Sequence, residues 1–194
     1  MSKKKIPLSF RLSNGLEKLN FGEADIVCIA GMGVKTMIKI LDSSSDPSQA
    51  SDDSAGGDAR YPTDLERIGC TQLLLQPTTS RPRNLIQLYD TLQKDGWTLK
   101  DERIEKLSSR YYITACFTHS ERVNDVVERE EEAKNFFVRE TKLPGSILSE
   151  QNDNSIFKEY CQHHITWLEQ EAAISSMALD EADQRWLSHF SADE

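Results

Sequence analysis

Apolar and polar positions along the chain alternate between two spacings. Leu8, Phe10 and Leu12 alternate with polar Ser9 and Arg11, which is the two-residue period of a strand, and Asn14-Gly15 supplies a turn to end it. A short amphipathic stretch over 16–19 leads to Ile26-Val27-Cys28-Ile29-Ala30, a continuous apolar run that predicts a strand buried on both faces, as in parallel sheets. Beyond Gly31-Met32-Gly33 the spacing becomes three to four, with Val34, Met37, Ile38 and Leu41 marking a helix. The sequence then repeats the pattern. Gln72-Leu73-Leu74-Leu75-Gln76 reads as a second buried strand stopped by Pro77, and Leu85, Ile86, Leu88, Tyr89 and Leu92 give a helix over 83–95 with Gly96 just past its end. Residues 97–107 and 110–118 follow as two strands joined by Ser108-Ser109. Strand, helix, strand, helix and hairpin together predict an α/β fold in which 10–118 form the C-terminal half of a doubly wound sheet with right-handed crossovers.

The remainder is helical. Phe157, Tyr160, His164, Leu168 and Ala172 share one face of a long helix, and Leu179, Ala182, Trp186 and Phe190 share a face of a second. Neither stripe tolerates water, so a C-terminal α-helical hairpin is expected, packed on itself or on the core. The domain plan is therefore 1–118 for the sheet and 119–194 for the helical region. Residues 43–66 are Ser, Asp, Ala, Gly and Pro with scarcely a large apolar side chain, and read as a disordered acidic insertion.

Charge changes the picture of possible partners. The chain of 194 residues carries a net −9, but unevenly. Residues 43–66 hold −5 and 119–194 hold −10, whereas 1–42 and 67–118 each hold +3, so the sheet-forming part is basic and compatible with a polyanion. No apolar run approaches the ~20 residues of a membrane span, and the basic start, Ser2 to Lys5, leads into no signal segment. Cys28, Cys70, Cys116 and Cys161 lie far apart. Cys28 and Cys116 fall in apolar runs and are expected to be buried free thiols, in a cytoplasmic or organellar compartment.

Glycines at a strand's carboxyl end, before a helix N-terminus, allow close backbone approach to a ligand, and Gly31-Met32-Gly33 has that setting. It is neither a dinucleotide fingerprint nor a P-loop, because Lys35-Thr36 stand where the third glycine belongs and Val34 precedes them. A tight structural turn is the alternative. Gln76-Pro77 ends the next strand on the same sheet edge, where an amide can read a planar ligand, or where proline merely starts a helix. His163 and His164, adjacent on a helix, point about 100° apart and cannot easily share an ion with Cys161, so no metal site is expected. His119 follows a strand with no acid or nucleophile pattern beside it, and Glu130-Glu131-Glu132 reads as a solvated helix face.

Taken together, these residues resemble the bacterial tRNA (adenine(22)-N1)-methyltransferases, whose class I, Rossmann-like sheets close with just such a hairpin. Gly22-Glu23-Ala24-Asp25, Ile29-Ala30-Gly31-Met32-Gly33 and Leu74-Leu75-Gln76-Pro77 match the family's motifs, and Tyr111-Tyr112 falls in its final hairpin. Gly145, Leu148, Asn154 and Phe157 resemble the start of its helical hairpin. The resemblance implies methyl transfer from S-adenosylmethionine to N1 of a tRNA adenine. It places the target adenine beside Gly31, Met32, Gly33, Gln76 and Pro77, and the cofactor against Asn14, Gly15, Leu16, Ala30 and Gly31. Lys35, Arg81 and Arg83 are then candidates for RNA phosphate contacts.

The chain departs from that pattern at Val34, where the family has a last glycine, at Thr78, where it has asparagine, and at Asn14, where it has an acid. The family's first two strands, with the Gly-Ser-Asp-His turn that holds the methionine end of the cofactor, have no counterpart. Three readings stay open: the greater part of an enzyme completed by an upstream segment, a non-catalytic homologue, or a binding partner. An open sheet edge would invite self-association or a second subunit.

Overall fold

A computed structural model describes residues 8–42, 63–119, 142–151, 154–174 and 179–191. Four strands, β1 (Ile26–Met32), β2 (Gln72–Pro77), β3 (Trp97–Leu107) and β4 (Arg110–His119), form one sheet in the order β1-β2-β4-β3. β1 and β2 are parallel, with Cys28 opposite Leu74 and Ala30 opposite Gln76, and β4 lies antiparallel between β2 and β3. Helices α1 (Val34–Leu41) and α3 (Pro82–Lys94) follow β1 and β2 as the spacing predicts. A short helix, α2 (Asp64–Ile68), precedes β2, and α4 (Ser146–Glu150), α5 (Ser155–Ile174) and α6 (Glu181–Phe190) follow the sheet.

Alternation sends Val27, Ile29, Leu73, Leu75, Ala115 and Phe117 to one face of the sheet. There they pack against Val34, Met37 and Leu41 of α1 and Leu88, Tyr89 and Leu92 of α3. Each of the Val, Leu, Ile, Met and Phe side chains among them contributes about 1.5–3 kcal/mol by leaving water. A second core forms where Leu85 and Ile86 of α3 and Ile104 and Ile113 of the hairpin meet Phe157, Tyr160 and Leu168 of α5 and Trp186 of α6. The helical hairpin is thus seated on the sheet domain. Arg185 of α6 fastens it further with two bonds to the Asp90 carboxylate of α3, at 2.8 and 2.9 Å.

The structure corrects three expectations. Residues 8–12 form no strand of the sheet: among the described residues they pair with no strand, and Phe10 and Leu12 are 90% and 99% exposed. Alternation describes an amphipathic strand only where a partner exists. Secondly, the acidic insertion ends sooner than 66. Thr63 caps α2 through a capping box with Glu66, and Leu65 and Ile68 are buried in the core. Residues 43–62 lie outside the described residues. Thirdly, β1 is buried on one face only. Ile26, Cys28 and Ala30 are exposed and Cys116 is half-buried, since the helices flanking β1 and β2 cover only the opposite face.

Candidate functional site

β1 and β2 run parallel, so both deliver their carboxyl ends to the same edge. Gly31 adopts φ 72°, a conformation open to glycine at no steric cost, and a Cβ built there or on Gly33 would meet nothing within 4 Å. Gly33 N-caps α1 and brings no side chain to the first amides of that helix. The neighbouring turn is tied to this one: Thr78 donates its amide to the Met32 carbonyl at 2.9 Å. Gln76 lies on the open sheet face opposite Ala30, and its Nε2 donates to the Thr114 hydroxyl of β4 at 3.1 Å. That bond uses the amide nitrogen and leaves the side-chain oxygen able to accept. Pro77 is buried and serves as the rigid stop between β2 and the loop to α3. Ala30, Gly31, Met32, Gly33, Gln76 and Pro77 are therefore brought together at one sheet edge, the first four exposed, Gln76 half-buried and Pro77 buried.

Asn14, Gly15 and Leu16 are not brought onto that edge. Gly15 lies against Ile40, in the last turn of α1 and about 10 Å along the helix from Gly33. Leu16 is buried in the core, and its carbonyl accepts from Arg67 of α2 at 3.0 Å. Asn14 is exposed and donates to Glu17 at 3.0 Å. The basic candidates also separate. Lys35 is exposed on the first turn of α1, beside the glycines. Arg81 is exposed, with its guanidinium 4.9 Å from the Trp167 ring centroid. Arg83 is half-buried and faces Asp183 of α6, whose carboxyl it draws downward against the larger upward push of burial.

Several groups of the fold were not singled out by sequence reasoning. Thr114 is a holder for Gln76, and period-two alternation in β4 was the signal available, since it places Thr114 on the face opposite Ile113. Tyr160 donates its hydroxyl to the Ser80 carbonyl at 2.8 Å, fixing α5 to the loop that leaves Gln76-Pro77. Glu102 is a fully buried carboxylate on β3 that accepts from the Tyr89 hydroxyl at 2.8 Å and from the Gly145 and Ile147 amides at 2.9 and 3.0 Å. Burial raises its pKa, and these donors, with the Leu148 amide, pull the other way. His119 is structural, its Nε2 3.1 Å from the Asp95 carbonyl and its ring edge-on to Trp97. Among the described residues no group of His, Cys, Asp and Glu is arranged to hold a metal, and no helix is long and apolar enough to cross a membrane.

The arrangement of strands matches solved enzymes. The chain superposes on the Bacillus subtilis m1A22 tRNA methyltransferase TrmK with a TM-score of 0.54 at 20% identity, covering 94% of this chain and 65% of that one. The Streptococcus pneumoniae protein Sp1610, assigned as a tRNA (m1A22) methyltransferase and solved with S-adenosyl-L-methionine, gives 0.52 at 18% identity over 91% of this chain and 67% of that one. The fold is that of a Rossmann-like methyltransferase. A family model described as a methyltransferase domain matches residues 2–54, which include β1, the glycine turn and α1. No curated protein matches the sequence. At these identities the likeness is one of fold, and the chain spans about two thirds of the length of the enzymes it superposes on.

Proposed function

We propose that the Ala30–Gly33 turn and Gln76-Pro77 form the acceptor edge of an S-adenosylmethionine-dependent tRNA methyltransferase that acts on N1 of adenine. The observation that carries this reading is the pairing of two parallel strand ends. One offers unobstructed backbone at Gly31, the other an amide whose orientation is set by Thr114, and the Thr78–Met32 bond locks them together. A planar base fits such an edge, with exposed backbone below it and one fixed hydrogen-bonding side chain beside it.

S-adenosylmethionine supplies an electrophilic methyl group on sulfur. The chain's own task is alignment, because adenine N1 carries a free lone pair and no proton that a base must remove. Gln76 and the backbone of Ala30 and Gly31 would orient the base, and Pro77 would fix their spacing. Asn14, Gly15 and Leu16, held against the last turn of α1, lie too far along that helix to share this edge. Lys35, Arg81 and Arg83 would contact phosphates, Arg83 only where Asp183 releases it.

The methionine end finds no holder among the described residues. Among the described residues β1 pairs with β2 alone, and Ile26, Cys28 and Ala30 form an exposed face beside its outer edge. The proposal is therefore that strands on the outer side of β1 complete the pocket, from an upstream segment or a second subunit. The rival reading, a non-catalytic homologue, is favoured by the same gap and by Val34, Thr78 and Asn14. Labelled methyl transfer to unmodified tRNA separates the two. The chain alone should transfer little, and the chain joined to the N-terminal third of a TrmK-type enzyme should transfer readily. A joined protein that folds and binds cofactor, yet labels no tRNA, would favour the rival.

A further inference from the structure

Residues 159, 163, 166, 167 and 170 recur at three- and four-residue steps and share the face of α5 turned away from its buried stripe. With Tyr111 of β4 they line a cleft of about 410 Å³, within the roughly 300–1,000 Å³ of small-ligand sites. Its chemistry is unusual for a solvated helix face. Trp167 is half-buried beneath the Arg81 guanidinium, and the exposed His163 ring lies 5.8 Å from the Tyr111 ring. Lys106 sits over Tyr111 at 5.5 Å and pairs with Glu159, which removes the cleft's one carboxylate from play. The other polar residues, Gln162, Thr166 and Gln170, carry no charge. In a chain of net −9, this cleft is lined by three aromatic rings, with Arg81 and Lys106 stacked on two of them and its one acid paired.

Its position is also particular. The Tyr160–Ser80 bond and the Arg81–Trp167 contact both join α5 to the loop that leaves Gln76-Pro77, so Trp167 of the cleft is tied to the loop that follows the candidate edge. Aromatic rings, a stacked guanidinium and neutral amides are the groups that hold unpaired nucleobases, whereas duplex RNA is held mainly through phosphates and 2′-hydroxyls. We infer that the Arg81–Trp167–His163 cleft is a stacking subsite for an unpaired RNA nucleobase flanking the one presented to the glycine turn. This rests on reading the edge as an RNA-modifying site.

Trp97 and Trp186 are buried at 4% and 0% exposure, so Trp167 is the one indole of three that RNA can reach, and its fluorescence reports the contact. Titrating the full chain with single-stranded oligoadenylate, and with unmodified tRNA, should quench that emission. A fully paired RNA duplex of equal length should not, and Trp167→Phe should abolish the change. By anisotropy of labelled RNA, Trp167→Ala should weaken binding roughly 5- to 150-fold, the range for one stacked base, and Arg81→Ala should weaken it less. Wild-type affinity in Trp167→Ala, or equal quenching by duplex, would overturn the subsite. The two readings fail separately. Quenching and affinity loss without methyl transfer by the completed protein would sink the enzyme and keep the subsite, and methyl transfer unaffected by Trp167→Ala would do the reverse.

Discussion

Removing the Glu102 carboxylate should undock the C-terminal helical region. Glu102 is fully buried on β3, and it accepts from Tyr89 of α3 and from the Gly145 and Ile147 amides at the start of α4. Glu102→Ala leaves three donors buried without an acceptor, each costing about 1–3 kcal/mol, so the loss should be on the order of 3–6 kcal/mol after partial relaxation. That is a large part of the ~5–15 kcal/mol of a typical domain. Glu102→Gln keeps the shape and one acceptor oxygen. Tyr89 can reverse its hydroxyl to accept from the new amide, but one of the two backbone amides must then face an NH2 group, so about 1–3 kcal/mol should be lost. The pH dependence is a second signature. Burial raises the Glu102 pKa above its usual 4.5, so the folded state holds this proton more tightly than the unfolded chain does. Its contribution favours folding below pH ~4.5 and fades as pH rises through the raised value; Glu102→Gln should abolish that component. Urea midpoints followed by circular dichroism, with limited proteolysis of the 142–151 segment, measure both effects. An alanine variant within ~0.5 kcal/mol of the wild type, or one no worse than glutamine, would refute the reasoning.

Other expectations concern backbone and charge. Gly145→Ala should destabilise far more than Gly31→Ala: both have positive φ, 92° and 72°, but a Cβ at Gly145 would sit 2.7 Å from the Phe157 ring while one at Gly31 meets nothing. For Gly31 the conformational cost alone applies, ~1–2 kcal/mol, and comparing the two melting temperatures checks the order. His164 is 6% exposed with neither ring nitrogen bonded among the described residues, and burial pushes its pKa down from 6.5 to about 4. Folding therefore favours the neutral ring, and stability should fall as pH drops from 6.5 to 4, by up to about 3 kcal/mol; a pH titration of unfolding in which His164→Phe shows the same slope would contradict this.

Particular residues show how far the sequence reached. The apolar run from Ile26 and the three-to-four spacing after Gly33 were enough to place β1 and α1, and the βαβ order followed because parallel strands need a crossover. Thr63-x-x-Glu66 was a legible capping signal, obscured by the Ser- and Asp-rich stretch before it. The inward position of Glu102 was not legible. Period two from Trp97 and Leu99 would send Asp101 and Arg103 to the core, but the register shifts between Leu99 and Asp101, and Glu102 and Ile104 face inward instead. A bulge of this kind leaves no local composition signal. The site shows the same division. Gly31, Gly33, Gln76 and Pro77 sit in a recognisable order along the chain, whereas Thr114, Tyr160 and Trp167 join them only through the packing of distant elements. Asn14 to Leu16 follow their motif in sequence yet lie toward the other end of α1, because Arg67 and Ile40 hold that turn in place.

The most direct test of the account is nucleoside analysis of unmodified tRNA treated with labelled S-adenosylmethionine and the chain joined to the N-terminal third of a TrmK-type enzyme. The account predicts 1-methyladenosine as the labelled product, with kcat sharply reduced by Gln76→Ala while cofactor affinity is nearly retained. Label on another atom or base, or a Gln76→Ala variant with unchanged kcat, would contradict the assignment of Gly31 and Gln76-Pro77 as the acceptor edge.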